Sequence, residues 1–240
     1  MLSPKKILLI FDFDETIMDQ DSIYEMARMT LSDEEYKKVM ELDTYDYYGA
    51  FNYFFKREKE IGLNLKDIHS NLEKLKLSPK MKELFDYIRE NKSKYDLLCL
   101  SGDIDYDIKY VLKYHNFLDL FKDFIANSVE IQDENAEQIM YVKGDQFPHN
   151  CNLCITCQCK GLELKKYLKD KTYEKILFVC DGGNDYCPTK NLMKEGDIVF
   201  PREGHRFLER IKNEDLKKEL KCEIVPWKTG EDIIKRMKEI

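Results

Sequence analysis

The sequence predicts an α/β protein with a Rossmann-like parallel sheet and a helical cap inserted after the first strand. Three observations favour this fold. Short apolar runs alternate with stretches of helical periodicity, several apolar runs end in acidic or small polar residues, and one long stretch, residues 19–77, has no strand pattern. A chain of 240 residues is long enough for such a core and a smaller second unit.

Strands are predicted where a short apolar run lies between polar segments. We predict six strands: Lys6–Phe11, Asp96–Leu100, Phe124–Ser128, Lys175–Cys180, Asp197–Phe200 and Glu223–Val225. Helical patterns lie between these runs, as parallel strands require for their crossover connections. The clearest helices are predicted over Ser78–Asn91, Gly161–Lys169 and Gly230–Lys238.

The helix predicted over Ser78–Asn91 has a start signal and an apolar face. Ser78 is a candidate N-cap, and Pro79 would occupy the first helical position. The apolar residues recur at helical spacing, which predicts one buried face formed by Met81, Leu84, Phe85 and Ile88.

Residues 19–77 interrupt the alternation with helical patterns rich in Tyr, Phe and Met, including the run Phe51–Phe55. We interpret this segment as a helical cap, and we expect its aromatic residues to form a small core of its own. The predicted division is therefore a catalytic core of residues 1–18 and 78–240 and a cap of residues 19–77.

The composition limits the classes of function. The formal charge of −7 and the pI near 5.3 argue against a nucleic-acid-binding protein, which needs a basic face. No apolar run approaches the roughly 20 residues that span a bilayer, and the run Ile7–Phe11 is too short for a signal-peptide core. We therefore expect a cytoplasmic protein without a membrane segment, whose eight cysteines stay reduced.

An Asp-x-Asp motif, Asp12 and Asp14, follows the first predicted strand. In an extended chain alternate residues point to the same side, and the carboxyl edge of a parallel sheet is where ligands bind. Two neighbouring carboxyl groups can act as a nucleophile or metal ligand and as a proton donor. A solvated acidic loop would explain the motif equally well when it is considered alone.

A second candidate site, Ser101 and Gly102, follows the second predicted strand. The Ser101 hydroxyl could donate to a phosphoryl oxygen there, or it could cap the next helix.

A third motif, Asp181-Gly-Gly-Asn-Asp185, follows the strand that ends at Cys180. Its aspartates add the oxygen ligands that Mg²⁺ prefers, and its glycines permit a tight turn. A simple Gly-Asn turn would not need two flanking aspartates.

Lys160 lies at the start of a predicted helix, where its ammonium group and the helix N-terminus could together bind a phosphate group. It follows a cysteine cluster formed by Cys151, Cys154, Cys157 and Cys159, with His149 just before. The spacing is compatible with zinc, but no second separated cysteine pair is present, which favours a reduced and packed loop. Whether the cluster binds zinc stays open.

The order of these motifs resembles the four-motif pattern of the haloacid dehalogenase superfamily. Further stretches resemble the phosphoethanolamine/phosphocholine phosphatase family and its pyridoxal phosphate phosphatase branch, over most of the chain outside residues 22–75. These stretches are FDFDETI, LSPKMKELFDYIRENKSKYD, the segment 149–160, DGGNDYCP, FPREG and VPW.

The resemblance implies a role for each motif. Asp12 would be the nucleophile that forms an aspartyl-phosphate, and Asp14 would be the general acid and then the general base. Ser101 and Lys160 would hold the phosphoryl oxygens.

The same resemblance implies a Mg²⁺ ion held by the carboxylates of Asp12 and Asp181 and by the carbonyl oxygen of Asp14, with Asp185 in support. It therefore implies a Mg²⁺-dependent phosphatase acting on a small-molecule phosphomonoester, with pyridoxal phosphate as one candidate. The oligomeric state stays open.

The sequence departs from the family pattern at three places, and the third concerns the substrate. Cys180 stands where the family usually has Gly, and Gly102 separates Ser101 from Asp103. An acidic pair of the family, associated with amine head groups, is replaced by Ile23 and Tyr24.

Three alternatives therefore remain. They are a phosphocholine or phosphoethanolamine phosphatase, a phosphomutase with the same aspartyl-phosphate chemistry, and a metal-binding regulatory protein that uses the cysteines. The set of acidic motifs counts against the regulatory protein.

Overall fold

A computed structural model describes residues 6–44, 46–131, 140–142, 149–155 and 158–240. Its main sheet has six parallel strands, which confirms the predicted fold class. In chain order these strands are β1 (Ile7–Phe11), β2 (Tyr95–Ile104), β3 (Phe121–Asn127), β6 (Ile176–Cys180), β7 (Ile198–Pro201) and β8 (Glu223–Ile224). A separate antiparallel pair consists of β4 (Val129–Ile131) and β5 (Met140–Val142).

The strand order of the main sheet is β3-β2-β1-β6-β7-β8, so β1 lies between β2 and β6. Alternation along β1 places Leu9 and Phe11 in one apolar cluster and Leu8 and Ile10 in the other. Both faces of the central strand are therefore buried, as a parallel sheet requires. Within the described ranges, no helix combines the length and apolar character needed to cross a membrane.

Eleven helices of α type lie in the described residues. Four follow β1 before the chain returns to the sheet: α1 (Ser22–Thr30), α2 (Asp33–Asp43), α3 (Tyr47–Glu60) and α4 (Leu65–Leu72). The others are α5 (Met81–Glu90), α6 (Asp105–Tyr114), α7 (Lys160–Leu168), α8 (Tyr186–Leu192), α9 (Arg206–Arg210), α10 (Glu214–Lys218) and α11 (Gly230–Met237).

The chain enters and leaves the four-helix segment at one place. Met18 and Leu77 form an isolated antiparallel bridge, and the amide of Asp19 donates to the carbonyl oxygen of Lys76 over 2.8 Å. The predicted cap boundaries lie at this crossing, and the division into core and cap stays a prediction. The buried Phe51 and Phe54 belong to the same apolar cluster as Leu9 of the sheet. The expectation of a separate small core in the cap is therefore wrong.

The predicted helix cap at Ser78 is also wrong. Helix α5 begins at Met81, and its preceding residue Lys80 has the left-handed φ of 61° and forms no side-chain cap. The Ser78 hydroxyl instead donates to the carbonyl oxygen of Met18 over 3.0 Å. The hydroxyl therefore closes the crossing between the two chain segments. The predicted apolar face of α5 is confirmed, because all four residues are buried.

Candidate active site

The predicted motifs meet at the carboxyl edge of the sheet because β1, β2 and β6 are parallel neighbours. They surround a cavity of about 470 Å³. Predicted site residues that line it are Asp12, Asp14, Ser101, Gly102, Lys160 and Asp181. Asp185 is fully buried and does not line the cavity. It contacts Lys160, which does line it.

Asp12 follows the last residue of β1 and is held by both carboxylate oxygens. Its amide donates to the carbonyl oxygen of Val179 in β6 over 3.0 Å. Oδ1 accepts from the amide of Phe13 over 2.8 Å, and Oδ2 lies 2.6 Å from Nζ of Lys160. These contacts fix the carboxylate at the cavity with little freedom to rotate.

Lys160 is the first residue of α7, as predicted, and its side chain is only 1% exposed. Its Nζ lies 2.6 Å from Asp12 and donates to Oδ1 of Asp185 over 2.6 Å. Burial acts to lower the pKa of Lys160, but the charges of Asp12 and Asp185 outweigh burial and raise it above its usual value. The lysine is therefore a buried ammonium group between two carboxylates.

Asp185 also shapes the turn that carries the third motif. Its Oδ2 accepts from the amide of Gly182 over 2.8 Å. A Cβ atom at Gly182 would lie 2.7 Å from Oδ1 of Asn184, which is closer than van der Waals contact allows. Glycine at this position therefore permits the tight turn that the sequence predicted.

Asp181 follows β6 and is oriented by residues from two other segments. The Thr16 hydroxyl donates to Oδ1 of Asp181 over 3.1 Å, and Nδ1 of His205 lies 3.4 Å from Oδ2. Burial raises the pKa of Asp181, whereas hydrogen bonding to Asp181 and then to Glu15 raises the pKa of His205 to about 9. The protonated imidazole therefore offsets part of the negative charge at this site.

Asp14 lies in the short segment Phe13–Ile17, where its own backbone is extended, and its Oδ1 accepts from the amide of Ser22 over 2.8 Å. Burial, followed by repulsion from Asp103 and Asp21, raises the pKa of Asp14 well above its usual value. Glu15, the next residue, has a φ of 50°, which turns the chain sharply after Asp14. A carboxyl group with a raised pKa is suited to donating a proton.

Ser101 lies inside β2, which continues to Ile104, and its Oγ accepts from the amide of Asp103 over 3.1 Å. Helix α6 begins only at Asp105, so the alternative interpretation of Ser101 as a helix cap is wrong. The carbonyl oxygen of Gly102 accepts from the Tyr47 hydroxyl over 3.0 Å. Helix α3 thereby reaches across the cavity to the sheet edge.

Several residues of this site were not predicted from the sequence. Thr16 and His205 contact Asp181, and Arg206 and Arg210 line the cavity beside the third motif. The stretch FPREG ends at Gly204, directly before His205. This position next to a family motif was the only sequence signal for His205. A histidine after a glycine has no distinctive pattern that would identify it as a site residue.

The carboxylates suit a Mg²⁺ ion. Oxygens of Asp12, Asp181 and Asp185 lie within 4.8 Å of one another, and all three residues are buried. Such a cluster offers hard oxygen ligands and a charge that buried Lys160 offsets only in part. These residues therefore fit the ion that the resemblance implies.

Among the described residues, the cysteine cluster gains a member that the sequence did not predict. Sulfur atoms of Cys151, Cys154 and Cys159 converge with that of Cys187, the first cysteine after the third motif. Cys157 lies outside the described residues.

The protein has a parallel sheet, an Asp-x-Asp motif directly after β1, and helices inserted directly after that motif. Together these features define a phosphohydrolase of the haloacid dehalogenase class. Residues 7–240 match the family described as Putative Phosphatase, and the chain belongs to that family. It is therefore a phosphoric monoester hydrolase, which argues against the phosphomutase and the regulatory protein.

Two curated relatives and one solved structure illustrate this relationship. The chain is 29% identical to pyridoxal phosphate phosphatase PHOSPHO2 of Homo sapiens, over 97% of each chain. It is 26% identical to the phosphoethanolamine/phosphocholine phosphatase of Homo sapiens, over 98% of this chain and 89% of the relative. A phospho-aspartyl intermediate analogue of phosphoserine phosphatase has a TM-score of 0.57 and 18% identity, over 97% of this chain and 99% of the other, and supports the fold.

Proposed function

We propose that this chain hydrolyses a small phosphomonoester in two steps, through an aspartyl-phosphate on Asp12. The observation that carries the proposal is the way this carboxylate is held. The amide of Phe13 and the ammonium group of Lys160 fix its two oxygens at the cavity. A carboxylate fixed in one orientation loses little freedom when it attacks phosphorus.

In the first step an oxygen of Asp12 attacks phosphorus, and the bond from phosphorus to the ester oxygen breaks. Asp14 gives its proton to the departing oxygen, which leaves as an alcohol. Asp14 lines the same cavity as Asp12 and is oriented by the amide of Ser22. This geometry and the raised pKa of its carboxyl group support its role as the general acid.

In the second step a water molecule attacks phosphorus and Asp14 accepts its proton. The phosphorus–oxygen bond to Asp12 breaks, which releases inorganic phosphate and restores the carboxylate. Ser101, Gly102 and Lys160 would bind the phosphoryl oxygens during both steps, because all three line the cavity. Stabilising the charge on these oxygens is the main contribution a protein can make to phosphoryl transfer.

Asp12, Asp14, Asp181 and Asp185 would hold Mg²⁺, with Thr16 orienting Asp181. When bound, the ion supplies positive charge to the phosphoryl group and its surrounding carboxylates. Lys160 bridges Asp12 and Asp185, so neither buried carboxylate lacks a positively charged partner.

For the substrate we propose pyridoxal phosphate. The cavity wall beyond the acidic motifs includes two aromatic residues, Tyr24 and Tyr47, and two positively charged residues, Arg206 and Arg210. A flat ring that carries an ionised hydroxyl group suits both features. The human relative with 29% identity is a pyridoxal phosphate phosphatase, which supports the same choice.

Acidic residues favour a second candidate substrate class. Asp21 and Asp43 also line the cavity, and carboxylates of this kind could bind the ammonium group of phosphocholine or phosphoethanolamine. Burial raises the pKa of Asp21 to about 8, which weakens its attraction for a cation at neutral pH. We therefore rank pyridoxal phosphate first.

The test is phosphate release from a panel of monoesters, with and without Mg²⁺, by wild type and Asp12→Asn. Wild type should turn over with Mg²⁺ only. Asp12→Asn should be inactive but folded, since the amide oxygen can still accept from Phe13. Asp215→Asn, which changes an exposed carboxylate, is the matched control.

Substantial activity of Asp12→Asn would contradict the assignment of Asp12 as the nucleophile. An advantage in kcat/KM of more than roughly tenfold for phosphocholine over pyridoxal phosphate, about 1.4 kcal/mol, would overturn the substrate ranking.

A further inference from the structure

Four cysteine sulfurs converge beside the active site, outside the acidic cluster. Cys151 and Cys154 come from the loop before α7, Cys159 directly precedes α7, and Cys187 lies in α8. We infer that these four residues bind one structural zinc ion.

The spacing of the sulfurs fits tetrahedral coordination. The Sγ atom of Cys187 lies 3.6 Å from that of Cys151 and 3.8 Å from that of Cys159. All four sulfurs, including that of Cys154, lie within 4.8 Å of one another. A zinc ion with four sulfur ligands at about 2.3 Å places those sulfurs about 3.8 Å apart. The distances from Cys187 to Cys151 and Cys159 therefore match edges of a ZnS₄ tetrahedron, and the remaining sulfur pairs lie no more than 4.8 Å apart.

The surrounding backbone holds the cysteines in this arrangement. The amide of Leu153 donates to Sγ of Cys151 over 3.4 Å, and the side-chain amide of Asn191 donates to Sγ of Cys187 over 3.5 Å. Donors of this kind stabilise the negative charge of a metal-bound thiolate. Both ring nitrogens of His149 engage the loop, through the carbonyl oxygen of Ile155 and the amide of Cys151. The histidine therefore orients the loop, and the ligand set is four sulfurs.

Gly161 allows the two helices to bring their cysteines together. A Cβ atom at this position would lie 2.6 Å from Sγ of Cys187. The start of α7 can approach Cys187 only because residue 161 has no side chain. The Cys-Lys-Gly sequence thus serves the cluster as well as the active site.

A disulfide is the main alternative for close cysteine sulfurs, and the geometry favours it less. Cys187 is nearly equidistant from Cys151 and Cys159, so no single pair is selected. One disulfide would also join only two of the four sulfurs and would not explain why the other two lie beside them. Zinc uses all four: four thiols bind one Zn²⁺ and release four protons, with no change in oxidation state.

The zinc ion would link the two segments that carry active-site residues. Cys159 is adjacent to Lys160, and Cys187 lies two residues after Asp185. The thiol of Cys154 also contacts the carbonyl oxygen of Asn184 over 3.7 Å. With all four positions taken by sulfur, the ion has no open site for catalysis. Its role is therefore to position Lys160 against Asp185.

The experiment measures zinc by elemental analysis in the full chain purified without chelator. Wild type should carry about one zinc per chain. Cys187→Ser should lose most of it, whereas Cys157→Ser should keep it, because four other sulfurs complete the tetrahedron. Cys222→Ser, which changes a buried thiol outside the cluster, is the control for loss of a cysteine.

Reconstitution with Co²⁺ gives a readout that does not depend on activity or on the folding of any variant. Wild-type protein stripped of metal and loaded with Co²⁺ should show the intense visible bands of tetrahedral cobalt thiolate. Release of the metal by an organomercurial should lower the melting temperature. After excess dithiothreitol has removed the mercurial from the thiols, Zn²⁺ but not Mg²⁺ should restore it.

Protein without zinc that also fails to develop these cobalt bands would overturn the proposal. If unreduced, metal-free protein has two free thiols fewer than the sequence contains, two of the cysteines form a disulfide and the zinc site is wrong. Loss of zinc in Cys157→Ser with retention in Cys187→Ser would overturn the assigned ligand set. The zinc content is independent of phosphate release, so failure of the zinc site and failure of the phosphatase mechanism are distinguishable.

Discussion

The ammonium group of Lys160 lies 2.6 Å from a carboxylate oxygen of Asp185, with both side chains buried. The same nitrogen lies 2.6 Å from Asp12. One lysine thus connects the residue that follows β1 with the motif that follows β6. Because both partners are carboxylates, the lysine holds them together and limits their mutual repulsion.

Lys160→Met should damage both activity and stability, because it leaves two buried carboxylates facing each other. We expect kcat/KM to fall at least about 100-fold, as for loss of a charge-stabilising donor. We expect the free energy of unfolding to fall by about 3 kcal/mol, as for removal of one partner of a buried ion pair. Kinetic assays and urea unfolding measure the two effects. Lys165→Met, an exposed position on the same helix, should change neither.

Thr16→Val should weaken the response to Mg²⁺, because it removes the hydroxyl that donates to Asp181 over 3.1 Å while keeping the side-chain shape. The Mg²⁺ concentration for half-maximal activity should rise about tenfold, as for loss of a residue that orients a metal ligand. Activity at saturating Mg²⁺ should change less. Thr16→Ser keeps the donor and should resemble wild type. An unchanged Mg²⁺ titration for Thr16→Val would show that this hydroxyl does not orient a metal ligand.

Asp14→Asn should separate the two chemical steps when the leaving group is varied. The amide oxygen can still accept from Ser22, but the side chain can neither donate the proton to the leaving oxygen nor accept one from water. Turnover of pyridoxal phosphate should fall about 10²- to 10⁴-fold. With p-nitrophenyl phosphate, whose leaving group needs no proton, stopped-flow absorbance should show a burst of p-nitrophenolate and then slow turnover. Equal losses on both substrates, without a burst, would contradict the acid–base role.

The elements that the sequence predicted correctly depend on local patterns. The run Ile176–Cys180 is a buried strand because its residues are apolar, and Asp181 follows it at the sheet edge. Asp12 and Ser101 join it there because parallel neighbours end at the same edge. Periodicity and chain direction are enough for such predictions.

Contacts between distant segments could not be predicted in the same way. The hydroxyl of Ser78 is taken by the carbonyl oxygen of Met18, and a helix-cap pattern contains no information about that partner. Cys187 joins three cysteines from an earlier loop through the packing of α7 on α8. Its own neighbourhood, Asp-Tyr-Cys-Pro, contains no metal-binding spacing. Both outcomes depend on the register of packed elements.

A buried glutamate in helix α3 should make stability depend on pH. Glu58 in α3 is 2% exposed, and burial raises its pKa from 4.5 to about 8. Asp107 of α6 is also buried, with its pKa raised by burial, by Asp103 and by Glu58. Between pH 4.5 and 8 the folded protein therefore holds a proton on Glu58 that the unfolded chain releases.

Binding of that proton by the folded state fixes the sign of the effect. Stability from this group is fully present below pH 4.5 and is lost as pH rises to about 8, by up to about 1.4 kcal/mol per pH unit. Glu58→Gln keeps the shape and cannot ionise, so urea unfolding should show a flatter pH dependence and greater stability than wild type at pH 8. At pH 4.5 the two proteins should nearly coincide. Glu90→Gln, an exposed glutamate on α5, should follow the wild-type curve. A Glu58→Gln curve parallel to that of wild type from pH 4.5 to 8 would mean that Glu58 is already ionised in the folded protein.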